Sequence, residues 1–490
     1  MTTPTDTATP REDNRYWVPL NSWNQLAPRT YNRFVLCFKV DNDSQTTAIR
    51  HLESCVVKLG KHRPVLRSFL KVNAPIALIS TSVQHNIPVE VHDVRNALGK
   101  SYAHLKEAGF PASAFVHQVF EVPAGDVAHA LILRIYTLDG GLVLGIHLHH
   151  SLGDGKAIDD VVSWLSAETR GDLYDTKPVI LSSPFYDRYC SSDKNTDGYL
   201  LDPEYISQRS PERRLISSPA AQTPSNCKLI GKIFVFKIAT LNTIQGHMQQ
   251  LVNTGRPSTS VILIAFLWAH TAKARTAASH EANDHTPTST HDEQTNGGAD
   301  YSRLLTIVDA RNRVFEADQA LQYFGNAVET ALASLPTTDL LKTCNRPTPG
   351  TDPDVLAKHL EPIVRGVHGS FEAVDQDCVR ERYELYASLR DPRKLALDHF
   401  PDDSRTFVFN SWRYLGMNAG QEWNITGTDG VGYPDAIRRA GDKWNWPAVM
   451  ILPTPPGSRE LEVMITVDEG AMELLLKDEG LMGFVDRVVS

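Results

Sequence analysis

The clearest pattern of apolar and polar positions lies near residues 128–165. Two apolar runs, 128–138 and 142–149, alternate between two faces and are separated by a turn that contains two glycines. Alternation with a period of two is typical of β-strands, and a glycine-containing turn between such runs indicates a hairpin. Beyond the second run comes a turn with Gly153 and Gly155, then four apolar residues with helical spacing: Ile158, Val161, Val162 and Leu165. We predict a hairpin, a constrained turn and an amphipathic helix.

The same two periods recur along the rest of the chain. Helical spacing predicts helices over 44–59, 101–108, 241–252, 261–275 and 470–478, and the fourth of these is apolar on nearly all sides. Short alternating runs predict strands over 34–40, 232–238, 304–308, 406–413, 448–452 and 461–467. Strands alternate with helices in both halves, which predicts an α/β fold built from layers.

A chain of 490 residues is too long for one core and indicates two domains. Residues 16–190 and 227–490 are the predicted N-terminal and C-terminal domains, and the weakly periodic stretch 191–226 is the predicted crossover between them. The polar residues 1–15 and the low-complexity insertion 276–300 are predicted to be disordered. Three histidines in the insertion, His280, His285 and His291, suit a solvated loop better than a metal site.

Composition limits the function classes. The net charge of −9 argues against a nucleic-acid surface, although it leaves room for a local phosphate site. The six cysteines form no Cys-x-x-Cys pair, so neither a disulfide framework nor a zinc site is expected. The first residues have no apolar segment typical of a secretory signal, and the longest apolar run, 261–269, is too short to cross a bilayer. We therefore expect a cytoplasmic enzyme or binding protein without a membrane partner.

His150 is the candidate for chemistry that the residues themselves suggest. It follows a predicted buried strand and precedes the constrained turn, where an imidazole would be held in a fixed position and suit a general base. A packed strand histidine is the more common alternative. Asp154, four residues later, is better suited to holding the turn through an ion pair than to relaying charge.

Residues 149–155, His-His-Ser-Leu-Gly-Asp-Gly, carry a resemblance to a known family. They match the His-His-x-x-x-Asp-Gly motif of the BAHD-type and chloramphenicol-acetyltransferase-like superfamily. Within it, the chain is most similar to the fungal trichothecene 3-O-acetyltransferase-like branch. Other stretches agree in the family's order over roughly residues 16–480, namely 62–67, 140–145, Trp268 with 274–275, 309–313, 323–326 (Tyr-Phe-Gly-Asn), 411–412 and 432–438.

The resemblance implies two chloramphenicol-acetyltransferase-like domains, each a mixed β-sheet flanked by helices, with an active-site channel between them. It implies that His150 is the general base of an acyl-coenzyme A-dependent transferase that forms no acyl-enzyme. It places Asn410 where plant relatives have a threonine that donates to the oxyanion, although capping a strand end is an equal alternative. It also makes Asp154, Gly155 and Arg311 structural, with Arg311 pairing with Asp154 from the second domain.

One family motif is altered. Ile425-Thr426-Gly427 stands where the family's Asp-Phe-Gly-Trp-Gly begins, so its aspartate is absent, which puts the coenzyme side of the site in doubt. Cations beside this glycine-rich stretch, Arg438, Arg439 and Lys443, are candidate contacts for coenzyme A phosphates, since cations near such a loop can hold phosphate. A solvated basic turn is the alternative.

These observations lead to one preferred function and two alternatives. The preferred function is an O-acyltransferase (EC 2.3.1) that moves an acyl group, most simply acetyl, from acyl-coenzyme A to a hydroxyl of a fungal secondary metabolite. The expected enzyme is monomeric, with acetyl-coenzyme A as a co-substrate and no tightly bound cofactor or metal. The alternatives are a stand-alone condensation-type enzyme that uses a carrier-protein donor, and a repurposed member that catalyses a cyclisation without acyl transfer.

Overall fold

The computed structural model describes residues 16–80, 85–116, 120–122, 125–187, 189, 203–217, 228–251, 257–283, 300–344, 353–399, 403–427, 430–441 and 446–490. The predicted disordered N-terminus, His285, His291 and Lys443 therefore lie outside the described residues. So does most of the predicted crossover between the domains. The domain boundaries proposed from the sequence stay a prediction.

Strands and helices alternate in both halves, as the periodicity predicts. The strands are β1 Trp17–Pro19, β2 Phe34–Lys39, β3 Phe69–Lys71, β4 Leu78–Ser80, β5 Val89–Asp93, β6 Val127–His129, β7 Leu131–Leu138, β8 Gly141–Leu148, β9 Arg213–Leu215, β10 Leu229–Lys237, β11 Tyr301–Asp309, β12 Val328–Pro336, β13 Leu395–Leu397, β14 Thr406–Ser411, β15 Ala436–Arg439, β16 Ala448–Ile451, β17 Glu460–Asp468 and β18 Val485–Val489. The helices are α1 Ser22–Leu26, α2 Gln45–His62, α3 Arg95–Leu98, α4 Tyr102–Glu107, α5 Gly155–Arg170, α6 Pro203–Arg209, α7 Ile238–Leu251, α8 Thr259–Asn283, α9 Arg311–Val314, α10 Ala317–Gln322, α11 Thr337–Cys344, α12 Pro353–Glu372, α13 Gln376–Ser388, α14 Glu469–Lys477 and α15 Glu479–Met482. None of the described helices is long and apolar enough to cross a bilayer.

The predicted hairpin is formed by β7 and β8, which pair antiparallel from Leu131↔Leu148 to Leu138↔Gly141. It lies in a five-stranded sheet of order β15-β2-β8-β7-β5. One face of β8 packs beneath α2 and α5, where the predicted helical face of α5 is completely buried, and the opposite face joins a separate apolar cluster around Tyr136. Because both faces are covered, β8 is a rigid support for the turn that follows it.

The first sheet is completed by a strand from the second half of the chain. β15 pairs antiparallel with β2, from Ala436↔Cys37 to Arg439↔Phe34. Just before β15, the carboxylate of Asp435 accepts hydrogen bonds from the Tyr102 hydroxyl at 2.7 Å and from Lys106 Nζ at 2.8 Å. Sequence order therefore does not divide the chain cleanly into two sheets.

The second sheet has seven strands in the order β12-β11-β14-β16-β17-β10-β18. It is mixed, since β14 runs parallel to both β11 and β16 while the remaining pairs are antiparallel. Helices α7, α8, α12 and α14 cover one face, and residues Val261 to Ala269 of α8 are all buried, as their apolar character predicts. Helix α8 runs to Asn283, so residues 276–283 of the predicted disordered insertion are helical instead.

The two sheets share a core. Ile233, Val235, Met450 and Met464 face away from the helices of the second sheet and join the apolar cluster of the first sheet. Trp412, just after β14, packs on Phe34 of β2 with ring centroids 5.6 Å apart. The two halves are therefore joined by apolar packing as well as by the exchanged strand.

A buried ionic network anchors α13 to the second sheet. Arg382 donates to Glu212 Oε2 at 2.9 Å and to the Thr330 carbonyl at 2.9 Å, and it lies 3.5 Å from Glu329 Oε2. Glu329 also accepts hydrogen bonds from Tyr386 and Trp23. Both glutamate side chains are fully buried, so their charges depend on Arg382 and on Arg213, whose Nε lies 3.8 Å from Glu212 Oε1.

We predict that Arg382→Met lowers the free energy of unfolding by about 3–5 kcal/mol, because it removes the hydrogen-bonded cation of two buried carboxylates and leaves only Arg213, 3.8 Å from Glu212, beside them. Denaturant unfolding followed by circular dichroism measures the loss. Arg380→Ala is the control on the same helix: its ion pair with Asp377 is exposed and should contribute less than about 1 kcal/mol. Equal effects of the two substitutions would contradict the role given to the network.

Candidate active site

His150 lies in the turn between β8 and α5, and backbone hydrogen bonds fix the turn. The His150 amide donates to the Thr30 carbonyl at 2.8 Å, and the Leu152 amide donates to the His149 carbonyl at 2.8 Å. Gly153 is required by packing, since a Cβ there would lie 2.4 Å from Cβ of Ala157 and 2.9 Å from a methyl of Leu148. Hydrogen bonds and close packing therefore restrain the backbone of the turn that carries His150.

Three histidines lie close together in this stretch, and only one of them suits proton transfer. His147 and His149 are completely buried, and burial lowers the pKa of each to about 3. The His149 ring packs edge-on against Tyr31, with centroids 5.1 Å apart, and His147 Nδ1 lies 3.3 Å from the Asn32 carbonyl. Both are neutral packing residues.

His150 differs because it keeps part of its surface exposed. Its Nδ1 atom is buried, so the exposed surface belongs to other atoms of the residue. Burial lowers the pKa of His150 below 6.5, while its own carbonyl, the Asp154 charge and the Asn326 side chain act in the opposite direction. At neutral pH the imidazole is therefore uncharged and able to accept a proton.

Asp154 is the N-cap residue of α5, and its carboxylate binds both sides of the turn. One carboxylate oxygen, Oδ1, accepts from the amides of Lys156 and Ala157 at 3.0 and 3.3 Å, and the other accepts from the Ala327 amide at 3.0 Å. Arg311 Nη2 donates to Oδ1 at 2.9 Å, which is the pairing that the resemblance implies. Burial alone would raise the pKa of Asp154, but the Arg311 guanidinium and these hydrogen bonds hold it below its ordinary value.

Arg311 is itself tightly held. It donates to Asp309 Oδ1 at 3.1 Å and to the Gly325 carbonyl at 2.6 Å, and its side chain is 3% exposed. Burial would lower its pKa, but the neighbouring carboxylates of Asp154 and Asp309 raise it above the ordinary value. The ion pair therefore joins the first domain's turn to the end of β11 in the second sheet.

The segment 323–326, Tyr-Phe-Gly-Asn, holds the other side of the His150 turn. Asn326 Nδ2 donates to the His150 carbonyl at 2.8 Å and to Asn24 Oδ1 at 2.8 Å, and the Tyr323 hydroxyl donates to the Asn326 carbonyl. The sequence marks this segment only as a match to a family pattern and gives no role to Asn24, Thr30 or Asn326. A polar residue's partner depends on contacts between distant segments, and one sequence does not show them.

Asn410 lies at the carboxyl end of β14, in the half of the chain opposite to His150. Its Oδ1 accepts from the Ser411 amide at 2.8 Å, and no hydrogen bond joins it to His150 within the described residues. The residues that follow reach the histidine turn: Leu415 lies 3.2 Å from the position of a Cβ on Gly155, and the Gly416 amide donates to Asp159 of α5 at 2.8 Å. The structure thus brings this segment to α5 without a direct Asn410–His150 contact.

The three candidate phosphate contacts, Arg438, Arg439 and Lys443, differ in how far the structure supports them. Arg438 is 3% exposed and donates to Glu462 at 2.7 and 3.0 Å and to the carbonyls of Phe110 and Gly109 at 2.8 and 2.9 Å. Arg438 is a residue of β15 whose buried guanidinium is paired with Glu462, and this arrangement disfavours its predicted role as a phosphate contact. Arg439 is partly exposed at the end of that strand, and Lys443 lies outside the described residues.

Comparison with known proteins gives a family match over most of the chain. The sequence profile described as the Transferase family matches residues 112–482. Eremophilane O-acetyltransferase ORF8 of Penicillium roqueforti is 21% identical over 305 residues, which are 53% of this chain and 62% of that protein. Trichothecene 8-O-acetyltransferase of Fusarium sporotrichioides is 22% identical over 330 residues, 64% of this chain and 62% of that protein. The chain thus spans about three fifths of the length of these curated relatives.

Solved structures agree over a longer span. TRI101 of F. sporotrichioides, complexed with coenzyme A and T-2, aligns with a TM-score of 0.71 and 17% identity over 97% of this chain and all of that chain. Vinorine synthase aligns with a TM-score of 0.56 and 16% identity over 98% and 96%. At these identities the likeness shows the fold, and it confirms the predicted two-domain α/β architecture.

We predict that Asp154→Ala acts on folding before chemistry, lowering the soluble yield and reducing the free energy of unfolding by about 3–5 kcal/mol. It removes the helix cap and leaves Arg311 buried without its main partner. Asp172→Ala, which removes an exposed ion pair just after α5, is the control and should change little. A stable, fully active Asp154→Ala enzyme would contradict this role.

Proposed function

Because the chain belongs to the Transferase family, we propose that it is an acyl-coenzyme A-dependent O-acyltransferase acting on a hydroxyl of a fungal secondary metabolite. The named acetyltransferases of Penicillium and Fusarium support the acetyl group and the substrate class. The coenzyme A complex of TRI101 supports the donor. The cytoplasmic location and the monomeric state expected from the sequence belong to this proposal.

One observation carries the proposal: a neutral, partly exposed histidine is fixed where the two halves of the chain meet. The His150 amide bonds to Thr30 of the first half, and its carbonyl accepts from Asn326 of the second half. The adjacent carboxylate of Asp154 is fully occupied by Arg311 and by backbone amides, so it does not act on substrate. This arrangement supports His150 as the group that moves the proton.

The reaction follows from this arrangement. His150 takes the proton from the acceptor hydroxyl as its oxygen forms a bond to the thioester carbonyl carbon of acyl-coenzyme A. The carbon–sulfur bond then breaks, and the protonated imidazole returns its proton to the departing thiolate. The products are the ester and free coenzyme A. No acyl-enzyme is required, because the histidine acts on the bound acceptor.

Asn410 is the proposed donor to the tetrahedral oxyanion. Its Oδ1 accepts from the Ser411 amide, so the Nδ2 group is the part of this side chain that could donate to an oxyanion. A fixed amide donor is suited to a charge that develops only during the reaction. Arg439 and Lys443 remain proposed contacts for the phosphates of coenzyme A, while Arg438 no longer is.

We predict that the protein transfers acetyl from acetyl-coenzyme A to fungal terpenoid or related alcohols, and that His150→Ala lowers the rate by about 10²–10⁴-fold while circular dichroism stays unchanged. Release of free coenzyme A with mass spectrometry of the product measures the transfer. His104→Ala, an exposed histidine of α4, is the control and should keep its activity.

Two other experimental results would contradict the proposed function and favour one of the alternatives. Transfer only from an acyl-loaded carrier protein would indicate the condensation-type alternative. An absence of coenzyme A binding by calorimetry, together with full turnover of an acceptor by His150→Ala, would indicate the cyclisation alternative.

The pH dependence follows from the direction of the His150 pKa. Burial disfavours the imidazolium and lowers the pKa, and only the neutral ring accepts a proton. We therefore expect kcat/KM to rise through a midpoint below pH 6.5 and to be constant at neutral pH. Initial rates between pH 4.5 and 8 at subsaturating acceptor measure the midpoint, and a value of 7 or above would contradict this prediction.

A further inference from the structure

The segment 412–421, which directly follows β14, is folded closely against α5 and the first sheet. Gly416 has a positive φ of 72°, which favours glycine. A Cβ at this position would lie 2.8 Å from a methyl of Ile437 in β15 and 3.4 Å from a methyl of Val162 in α5. A part of the second half of the chain therefore packs along the helix that begins at the His150 turn.

A carboxylate of α5 holds this segment by hydrogen bonds. Asp159 Oδ1 accepts from the Gly416 amide at 2.8 Å and from Gln421 Nε2 at 2.8 Å. The orientation of the Gln421 side chain is settled by its other end, since Oε1 accepts from the Asn418 amide at 2.7 Å. The Asn418 Nδ2 group is more distant from the carboxylate, 3.4 Å from Oδ1 and 3.3 Å from Oδ2. The two short bonds at Oδ1 are therefore the main contribution of Asp159.

The partners of Asp159 are unusual for a half-buried carboxylate. Within the described part of the chain, its oxygens meet neutral donors of the 412–421 segment and no cation. The neighbouring Asp160 differs, because its carboxylate pairs with Lys156 of the same helix. Hydrogen bonds to a charged acceptor are stronger than those between neutral groups. The charge of Asp159 is thus directed at one segment of the second half.

The attachment lies between the two elements that carry the proposed reacting groups. Asp159 is in the second turn of α5, just beyond the turn of His150, and Asn410 is the last residue but one of β14, which leads into the segment. Another bond joins the segment to α5 about three turns farther on, where Arg170 donates to the Gly420 carbonyl at 2.8 Å. Of these two attachments, Asp159 is the nearer to the His150 turn.

We propose that Asp159 is a positioning residue of the transferase: it fixes the 412–421 segment to α5 and thereby sets the position of Asn410 relative to His150. Asn410 and His150 belong to different halves of the chain, and no hydrogen bond joins them within the described residues. Their separation therefore depends on contacts between the elements that carry them. A shift of about 1 Å between two reacting groups can lower a rate by about a hundredfold. This inference rests on the proposed function, in which Asn410 donates to the oxyanion.

The first test does not depend on catalysis. Hydrogen–deuterium exchange of the whole protein, read by mass spectrometry, follows the backbone amides of the 412–421 segment. Asp159→Ala should raise the exchange rate of this segment by about tenfold or more, because the Gly416 amide loses its acceptor and the segment loses its attachment. Asp159→Asn should keep exchange slow, because its one remaining oxygen can still accept both short hydrogen bonds.

The second test is kinetic and uses acetyl-coenzyme A with an alcohol. Asp159→Ala should lower kcat by about 10–100-fold with little change in KM, and Asp159→Asn should keep most of the rate. A variant that combines Asp159→Ala with Asn410→Ala should be no slower than Asn410→Ala alone, because Asp159 acts through Asn410. A rise in KM alone, or losses that multiply in the combined variant, would overturn the proposal.

Asp160→Ala is the matched control, because it removes the next carboxylate of the same helix, whose partner is Lys156 and not the segment. It should change neither the exchange of the segment nor kcat. Unchanged exchange in Asp159→Ala, or an equal loss of rate in the control, would overturn the proposal. If Asp159→Ala does not fold, Gln421→Ala removes one of the two short bonds and should shift both measurements in the same directions. If the unmodified protein transfers no acetyl group while the exchange results hold, the proposed function fails and the attachment by Asp159 stands.

Discussion

The buried pairing of Asp154 with Arg311 is the constraint on which the site depends. Each side chain is 3% exposed, so each buried charge relies on the other, and Arg311 has Asp309 as a second carboxylate partner. Asp154 belongs to the turn that carries His150, and Arg311 follows a strand of the second sheet. Because this buried charge pair joins the two halves of the chain, the turn that carries His150 reaches its final position only when the two halves pack together. A correctly folded protein therefore already contains the histidine in place.

Around this pair, the second half holds the first half's turn by several different bonds. The Ala327 amide and Asn326 reach it from one segment, and the residues after β14 reach α5 through Leu415 and Gly416. Polar contacts to the backbone fix position without adding charge near the ring. His150 can therefore be held in place and remain uncharged. A free carboxylate beside the ring could also hold it, but that carboxylate would raise the pKa of the imidazole.

The sequence predicts the parts of this molecule that depend on local periodicity. The β7–β8 hairpin and the buried face of α5 follow from alternation and helical spacing, and the motif at 149–155 directs attention to His150. The sequence does not predict which cation pairs with which carboxylate. From the sequence alone Arg438 looks like a surface arginine, and only the structure shows its pairing with Glu462. Likewise the joining of β15 to β2, the extension of α8 to Asn283 and the role of Asn326 depend on contacts between distant segments, which periodicity does not encode.

The position of β15 has a consequence for biosynthesis. During translation the whole first half of the chain leaves the ribosome before residues 436–439 exist, and until then the outer edge of β2 lacks the partner that it has in the finished sheet. An exposed strand edge next to a hydrophobic core is prone to pairing with other chains. The edge of β2 is therefore a point at which the nascent chain is prone to aggregate, and the N-terminal half expressed by itself is expected to aggregate more readily than the whole chain.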